Sequence, residues 1–222
     1  MAHDHGDWMK ELGNSVDLVE KMPSPRFVKT HLPWELLPKQ IEVVQPKVRV
    51  PIVYVARNPK DMCVSYYHYC LLIHNMKGSF EDFCELFLKG KAPIGPIWSH
   101  ILGFWRRRHQ PNILFLKYED MKKDQAGAIR KAAQFLNKTL TEEEIQKLAE
   151  HLSFNNMRQN PAVNLEPIIS RKMGPEFLKN NDIRFIRKGQ VGDYKNYMSE
   201  ELIKRFDKWT EENLRGTGLT FE

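Results

Sequence analysis

The sequence lacks the long apolar run that a membrane-spanning helix requires. Nowhere in its 222 residues do about 18 apolar residues follow one another. The first 21 residues carry acids and histidines instead of the apolar stretch of a signal peptide. With 41% hydrophobic and 28% charged residues, the composition is that of an ordinary globular protein. We therefore expect a cytoplasmic protein with one domain over residues 1–222, a polar segment at 1–21, and no membrane partner.

Cysteine is scarce as well. Cys63, Cys70 and Cys84 form an odd set without a C-x-x-C pair. Such a set argues against a disulfide framework and against a zinc site. All three cysteines fall in apolar segments, so we predict buried thiols in a reducing compartment and no bound metal.

A glycine-rich phosphate loop is also absent from the sequence. Neither G-x-x-x-x-G-K-[S/T] nor G-x-G-x-x-G occurs, and no predicted strand ends in Lys-Ser-Gly-Thr. The net charge of +6 nevertheless favours an anionic partner: nucleic acid, an acidic membrane surface or a phosphorylated small molecule. The densest basic run, 106–108, ends a predicted helix, where cations also suit the helix dipole. A nucleic-acid-binding domain is therefore kept as an alternative.

Strand and helix patterns alternate along the chain. Strands are predicted over 26–30, over 48–56 (VRVPIVYVA, the apolar type that is buried on both faces) and over 112–117. Pro51 is discordant within the second of these strands. Helices are predicted after Asn58 and Ser199 and over 79–89, 97–107, 119–136 and 142–151, several of them with clear N-cap residues. The alternation indicates an α/β domain with a parallel β-sheet flanked by helices. Residues 160–198 read as long irregular loops of the kind that carry function.

Two strand ends carry residues suited to catalysis or anion binding. His31 follows the first predicted strand, where α/β sheets place ligands, and an imidazole there can take a proton from a hydroxyl group. A structural histidine is the commoner outcome for such a residue. Arg57 lies between the second strand and a helix N-terminus, which together form an anion site. Pairing of Arg57 with Asp61 is an equally good interpretation.

A third candidate is the basic loop Arg187-Lys188-Gly189. With Gly192 close behind, its backbone and side-chain donors can surround a phosphate together. A flexible solvated loop is the alternative, because basic loops that contain glycine are common.

Taken in order, these segments resemble the cytosolic sulfotransferase family. The matching stretches are KTHLP at 29–33, YVARN at 54–58, VSYYH at 64–68, YEDM at 118–121, SFNNM at 153–157, and RKG with GDYK within 187–195. The resemblance covers the chain from about residue 22. It implies a P-loop-NTPase-like fold and transfer of the sulfonate of 3'-phosphoadenosine 5'-phosphosulfate (PAPS) to a hydroxyl or amine. The acceptor would be a small, largely apolar molecule such as a phenol, a steroid or another alcohol, and no metal or nucleic acid would be involved.

The resemblance also assigns roles to individual residues. His31 would be the general base, and Lys29 would help to position the acceptor. The nucleotide would contact Arg57, Ser65, Tyr118, Ser153, Phe154, Met157, Phe185, Arg187, Lys188 and Gly189. Trp34 and Tyr69 are candidates for an apolar acceptor pocket, although aromatic residues at helical spacing are more often core.

The sequence departs from the family pattern in three places. Family members begin with a strand and a Pro-Lys-Ser-Gly-Thr-Thr-Trp-like loop that grips the 5'-phosphosulfate, and this sequence starts after that unit. We therefore expect a shortened chain (a fragment, a truncated isoform or an incomplete gene model), with an inactive form that keeps partial nucleotide binding as the alternative. Leu152 stands where the family has Thr or Ser. The dimer motif that begins at Lys195 is changed at three of its four marked positions, which leaves a homodimer open.

Overall fold

A computed structural model of the chain describes residues 15–41, 50–180 and 183–221. The chain divides into two compact units, Met1–Leu32 and Pro33–Glu222. The expectation of a single domain over 1–222 stays a prediction. Most of the polar N-terminal segment and the first two residues of the strand predicted over 48–56 lie outside the described residues.

The described part of the N-terminal unit is mostly irregular. Helix α1 spans Ser15–Lys21, and no regular element follows it up to residue 32. The strand predicted over 26–30 is wrong: Phe27 is 76% and Val28 58% exposed, and within the described ranges no strand pairs with this segment. An extended segment without a hydrogen-bonded neighbour is not stabilised as a strand.

Two parallel strands form the described sheet of the larger unit. Strand β1 spans Ile52–Ala56 and strand β2 spans Ile113–Lys117, with Ala56 opposite Lys117 at the carboxyl end. Strand β1 begins directly after Pro51 because proline has no backbone N–H to donate to a ladder. The parallel pairing confirms the predicted α/β class.

Strand β1 is not buried on both faces, contrary to the sequence prediction. Ala56 is fully buried and Tyr54 stacks on Phe104 with ring centroids 4.2 Å apart, whereas Val53 and Val55 are 46% and 44% exposed. The exposure alternates along the strand because successive side chains point to opposite faces. An apolar run therefore indicates a strand but does not show how many of its faces are covered.

Helices make up most of the rest of the described chain. They are α2 (Pro59–His74), α3 (Phe80–Leu88), α4 (Ile97–Trp105), α5 (Tyr118–Lys123), α6 (Gln125–Phe135), α7 (Glu142–His151), α8 (Phe154–Gln159), α9 (Glu166–Met173), α10 (Phe177–Asn180) and α11 (Glu200–Leu214). Short 3-10 turns occur at Trp34–Leu36, Lys39–Ile41 and Asp193–Asn196. Four predicted N-caps are confirmed by side chains that accept a backbone N–H: Asn58, Ser79, Thr141 and Ser199.

Two predicted elements need correction. The helix expected over 119–136 is divided at Asp124, whose carboxylate accepts the backbone N–H of Gly127 at 2.8 Å and so starts α6. The stretch 160–198, predicted to be irregular, contains α9, α10 and a 3-10 turn.

The principal core lies where α2, α3 and α11 meet. Phe206 is fully buried there, and the centroids of the Phe206 and Phe87 rings lie 6.0 Å apart. Cys63, Cys70 and Cys84 are free thiols in the same cluster, and their predicted burial is confirmed. In the part of the chain that the structure describes, no helix is long and apolar enough to cross a membrane.

Candidate functional site

The carboxyl edge of the sheet brings the first two candidate residues together. Arg57 follows β1 and Tyr118 follows β2, and the two strands end in register. Because parallel strands end at the same edge of a sheet, the Arg57 guanidinium lies over the Tyr118 ring, 4.4 Å from its centroid. The N-terminus of α2, which favours anions, begins two residues after Arg57.

The contacts of Arg57 include features of both interpretations offered by the sequence. Its Nη2 donates to the backbone carbonyl of Gln190 at 3.0 Å and lies 3.9 Å from a carboxylate oxygen of Asp61. The second distance is at the outer limit for an ion pair. Its buried Nε has no hydrogen-bond partner among the described residues. Arg57 therefore keeps donor capacity for an anion.

The late loop, residues 185–197, is anchored to α2 by a buried carboxylate. Asp61, in the first turn of α2, is 2% exposed. Its two oxygens accept the backbone N–H groups of Gly192 at 2.6 Å and Tyr194 at 3.0 Å. The anion-binding loop proposed from the sequence therefore lies beside the carboxyl edge of the sheet that carries Arg57.

A second buried carboxylate, Asp193, holds the cations of the late loop. It accepts hydrogen bonds from Arg187 Nη2 at 2.6 Å, Lys188 Nζ at 2.8 Å and Asn196 Nδ2 at 2.8 Å. Burial raises the pKa of Asp193, but the hydrogen bonds from Lys188, Asn196 and Arg187 outweigh it and bring the pKa to about 2. The carboxylate is therefore ionised near neutral pH, and the cluster of two cations and one anion carries one net positive charge.

Gly189 brings the late loop against the segment that starts at Ser153. Its φ is +62°, and a Cβ at this position would lie 2.6 Å from Cδ2 of Phe154. Glycine is required there by both its backbone angle and the close ring. Ser153 caps α8 by accepting the N–H of Asn156 at 3.4 Å, and Met157 lies on the same helix.

Ser65 lies on the face of α2 that is directed towards the late loop. It is exposed, one turn after Asp61 and one turn before His68. Asp61 binds the N–H of Gly192, and the His68 ring meets the Tyr197 ring edge-on, with centroids 5.4 Å apart. The spacing of four therefore places Ser65 on the same face of α2 as Asp61, and its role in nucleotide binding stays a prediction.

The sequence reasoning gave no role to His68 and Asp193, and it considered Asp61 only as a partner of Arg57. Burial, followed by the positive charge of Arg187, lowers the pKa of His68 to about 4. Its Nε2 is buried without a hydrogen-bond partner in the described part of the chain. The helical spacing between Ser65 and His68 is the signal that could have found His68.

The remaining aromatic candidates lie in apolar clusters. Phe185 and Tyr69 pack against each other, with ring centroids 6.2 Å apart, in a cluster around the fully buried Ile169. Trp34 is 4% exposed and meets Phe104 edge-on, with centroids 5.5 Å apart. Trp34 is thus buried, as the core alternative expects, and its place in an acceptor pocket stays a prediction.

Lys29 and His31 belong to the N-terminal unit. Both are exposed and lie in its irregular stretch, where the backbone N–H of Leu32 donates to the Thr30 hydroxyl at 3.1 Å. No group of three His, Cys, Asp or Glu side chains within the described ranges is arranged to hold a metal ion.

The sulfotransferase domain model matches residues 5–218, and the chain therefore belongs to the sulfotransferase family, a family of transferases. Luciferin sulfotransferase of Photinus pyralis is 43% identical over 211 residues, which cover 95% of this chain and 56% of that protein. Sulfotransferase 1B1 of Mus musculus is 38% identical over 210 residues, 94% of this chain and 67% of its own length. The chain thus spans little more than half of the first of these relatives.

Solved structures agree with this assignment. A retinol dehydratase in complex with retinol and PAP superimposes with a TM-score of 0.82 at 38% identity, over 97% of this chain and 64% of its own. Mouse sulfotransferase SULT7A1, complexed with PAP, gives a TM-score of 0.75 at 30% identity, over 90% of this chain and 69% of its own. The predicted α/β sulfotransferase fold is confirmed.

Proposed function

We propose that this protein is a cytoplasmic enzyme that transfers the sulfonate of PAPS to a hydroxyl or amine of a small, largely apolar acceptor such as a phenol, a steroid or another alcohol. The observation that carries the proposal is the convergence of Arg57 and the late loop at the carboxyl edge of the sheet. Solved neighbours of the same fold contain PAP, which is adenosine 3',5'-bisphosphate, the nucleotide that remains after PAPS has lost its sulfonate.

The 3'-phosphate would lie between Arg57 and the late loop. Arg57 has an unused Nε, and the cluster of Arg187, Lys188 and Asp193 adds one net positive charge. A guanidinium fork matches the geometry of a phosphate, and charge-assisted hydrogen bonds are the strong ones. Ser65, which is exposed and lies one turn after Asp61 on α2, would supply a further donor.

The adenine would lie beside Tyr118 and the first turn of α8. The Tyr118 ring already carries the Arg57 guanidinium on one face. Burial raises the pKa of Tyr118, so its phenol stays protonated and remains a hydrogen-bond donor. Phe154 and Met157 offer apolar contacts there, and Ser153 offers a hydroxyl group.

Catalysis is assigned to the N-terminal unit by family resemblance. His31 would take the proton of the acceptor hydroxyl. The acceptor oxygen would then attack the sulfur atom, and the bond between sulfur and the phosphate oxygen would break. The leaving nucleotide keeps the electron pair of that bond, and Lys29 would hold the acceptor in line. Such a transfer depends mainly on positioning and on stabilising the charge that develops on the leaving phosphate.

Calorimetry tests the nucleotide site directly. Adenosine 3',5'-bisphosphate should bind more tightly than AMP by roughly tenfold to a hundredfold, because a charge-assisted hydrogen bond contributes about 1.5–3 kcal/mol. Arg57→Gln should reduce the affinity for the bisphosphate towards that for AMP. Equal affinity of the unaltered chain for the two nucleotides would contradict the site assignment.

A transfer assay with radiolabelled PAPS and a phenol tests catalysis. His31→Ala should reduce turnover by on the order of 10²–10⁴ while affinity for the nucleotide is unchanged. Bisphosphate binding without any transfer by the unaltered chain would support the alternative, a binding form without catalytic activity.

A further inference from the structure

We propose that Asp61 is a positioning residue of the nucleotide site, which fixes the turn of the late loop so that Gln190 lies beside Arg57. The inference rests on the proposed function, because it names the residue that holds that site in shape. Asp61 itself would not touch the nucleotide.

The geometry of Asp61 is that of a two-point anchor. Each of its oxygens accepts one backbone N–H, from Gly192 at 2.6 Å and from Tyr194 at 3.0 Å. The side chain is buried and rises from the first turn of a 16-residue helix, so its own position is well defined. The bonds span 131 and 133 positions of sequence and tie the loop to the strand edge.

The turn that Asp61 anchors supports the groups proposed to bind phosphate. Gly192 has a φ of +83° and opens the 3-10 turn Asp193–Asn196. Asp193 in this turn holds Arg187 and Lys188, and Gln190 just before it accepts from Arg57. Release of the turn would therefore disturb the cations on both sides of the site.

A simpler role for Asp61 predicts the opposite result. Its carboxylate lies 3.9 Å from Arg57, so it also acts as a counter-ion that weakens the attraction of Arg57 for an anion. If that were its whole contribution, removal of its charge would strengthen nucleotide binding. If it positions the loop, its loss weakens binding, because an amide offers one acceptor oxygen and its NH₂ group opposes the second N–H donor.

The test compares Asp61→Asn with Asp207→Asn in the chain of residues 1–222. Asp207 is the matched control because it pairs with Lys60 of the same helix in an ion pair whose acidic side chain is 53% exposed. Calorimetry with adenosine 3',5'-bisphosphate and with AMP should show that Asp61→Asn lowers the affinity for the bisphosphate by at least about tenfold. Affinity for AMP should change little, and Asp207→Asn should resemble the unaltered chain for both nucleotides.

Hydrogen exchange without nucleotide gives a second, independent measurement. The amides of Gly192 and Tyr194 should exchange at least about tenfold faster in Asp61→Asn, while those of helix α11 keep their rates. If the unaltered chain does not prefer the bisphosphate, the proposed function fails, and the exchange rates alone then show whether Asp61 anchors the loop.

Three results would overturn the inference. The first is unchanged or tighter binding of the bisphosphate by Asp61→Asn. The second is an equal loss of affinity for the bisphosphate and for AMP. If Asp61→Asn does not fold by circular dichroism, Asp61→Ser keeps one acceptor at the position and replaces it in the test. The third result is that neither Asp61→Asn nor Asp61→Ser folds, which would mean that Asp61 is needed for the fold alone.

Discussion

Substitution of Gly189 by alanine tests whether Phe154 contributes to nucleotide binding. The new Cβ would lie 2.6 Å from Cδ2 of Phe154, roughly 1 Å closer than the optimum of about 3.5–4.0 Å between carbon atoms. The Phe154 ring must therefore move away from the late loop. The left-handed backbone at φ +62° adds a strain of roughly 1–2 kcal/mol for a residue with a Cβ.

Gly216→Ala is the matched control for this substitution, because Gly216 lies outside the proposed nucleotide site. Gly216 has a φ of +75°, but a Cβ there would meet nothing within 4 Å. Both variants should therefore lose similar stability from backbone strain, and only Gly189→Ala should displace Phe154. Because stacking of an aromatic side chain on a base contributes about 1–3 kcal/mol, affinity for adenosine 3',5'-bisphosphate should fall between about fivefold and a hundredfold further in Gly189→Ala than in the control.

Thermal melting and calorimetry on both variants distinguish loss of the Phe154 contact from loss of stability through backbone strain. Similar melting temperatures with different nucleotide affinities would support contact between Phe154 and the nucleotide. Equal nucleotide affinities in the two variants would refute the reasoning, because the displaced ring would then make no difference to binding.

Two further predictions concern stability. Since the pKa of Asp193 is lowered from 3.8 to about 2 in the folded chain, the unfolded chain takes up this proton first as the pH falls. The stabilisation, on the order of 2 kcal/mol, should thus be complete above about pH 5 and lost as the pH falls through 2. Urea unfolding at several acidic pH values should show a steeper loss of stability in the unaltered chain than in Asp193→Asn, and parallel curves would exclude this contribution. Phe206→Ala should lower the free energy of unfolding by about 3–5 kcal/mol because Phe206 is fully buried. Phe27→Ala, at a site that is 76% exposed, should change it by less than about 0.5 kcal/mol, and similar values for the two would contradict the assignment of the core.

Features that depend on near neighbours in the chain were predictable from the sequence. The N-caps Asn58 and Thr141 are recognisable because the donor that each satisfies lies two or three residues away. The alternation of strands and helices likewise established the α/β class, and the ordered segments from Lys29 onwards indicated the family. The position of Arg57 between a strand and a helix N-terminus was likewise predictable.

Features that depend on distant neighbours became visible only in the folded chain. The strand predicted at residues 26–30 has the right local composition, but a strand also requires a hydrogen-bonded partner, which residue types alone do not reveal. Burial of one face of β1, and not both, depends on what packs against each face. The anchoring of the late loop by Asp61 joins groups 131 positions apart, and the ordinary-looking acid in Asn58-Pro59-Lys60-Asp61 carries no local sign of that role. Such contacts arise only when the chain folds, because their free energy comes from groups that no short stretch of sequence contains.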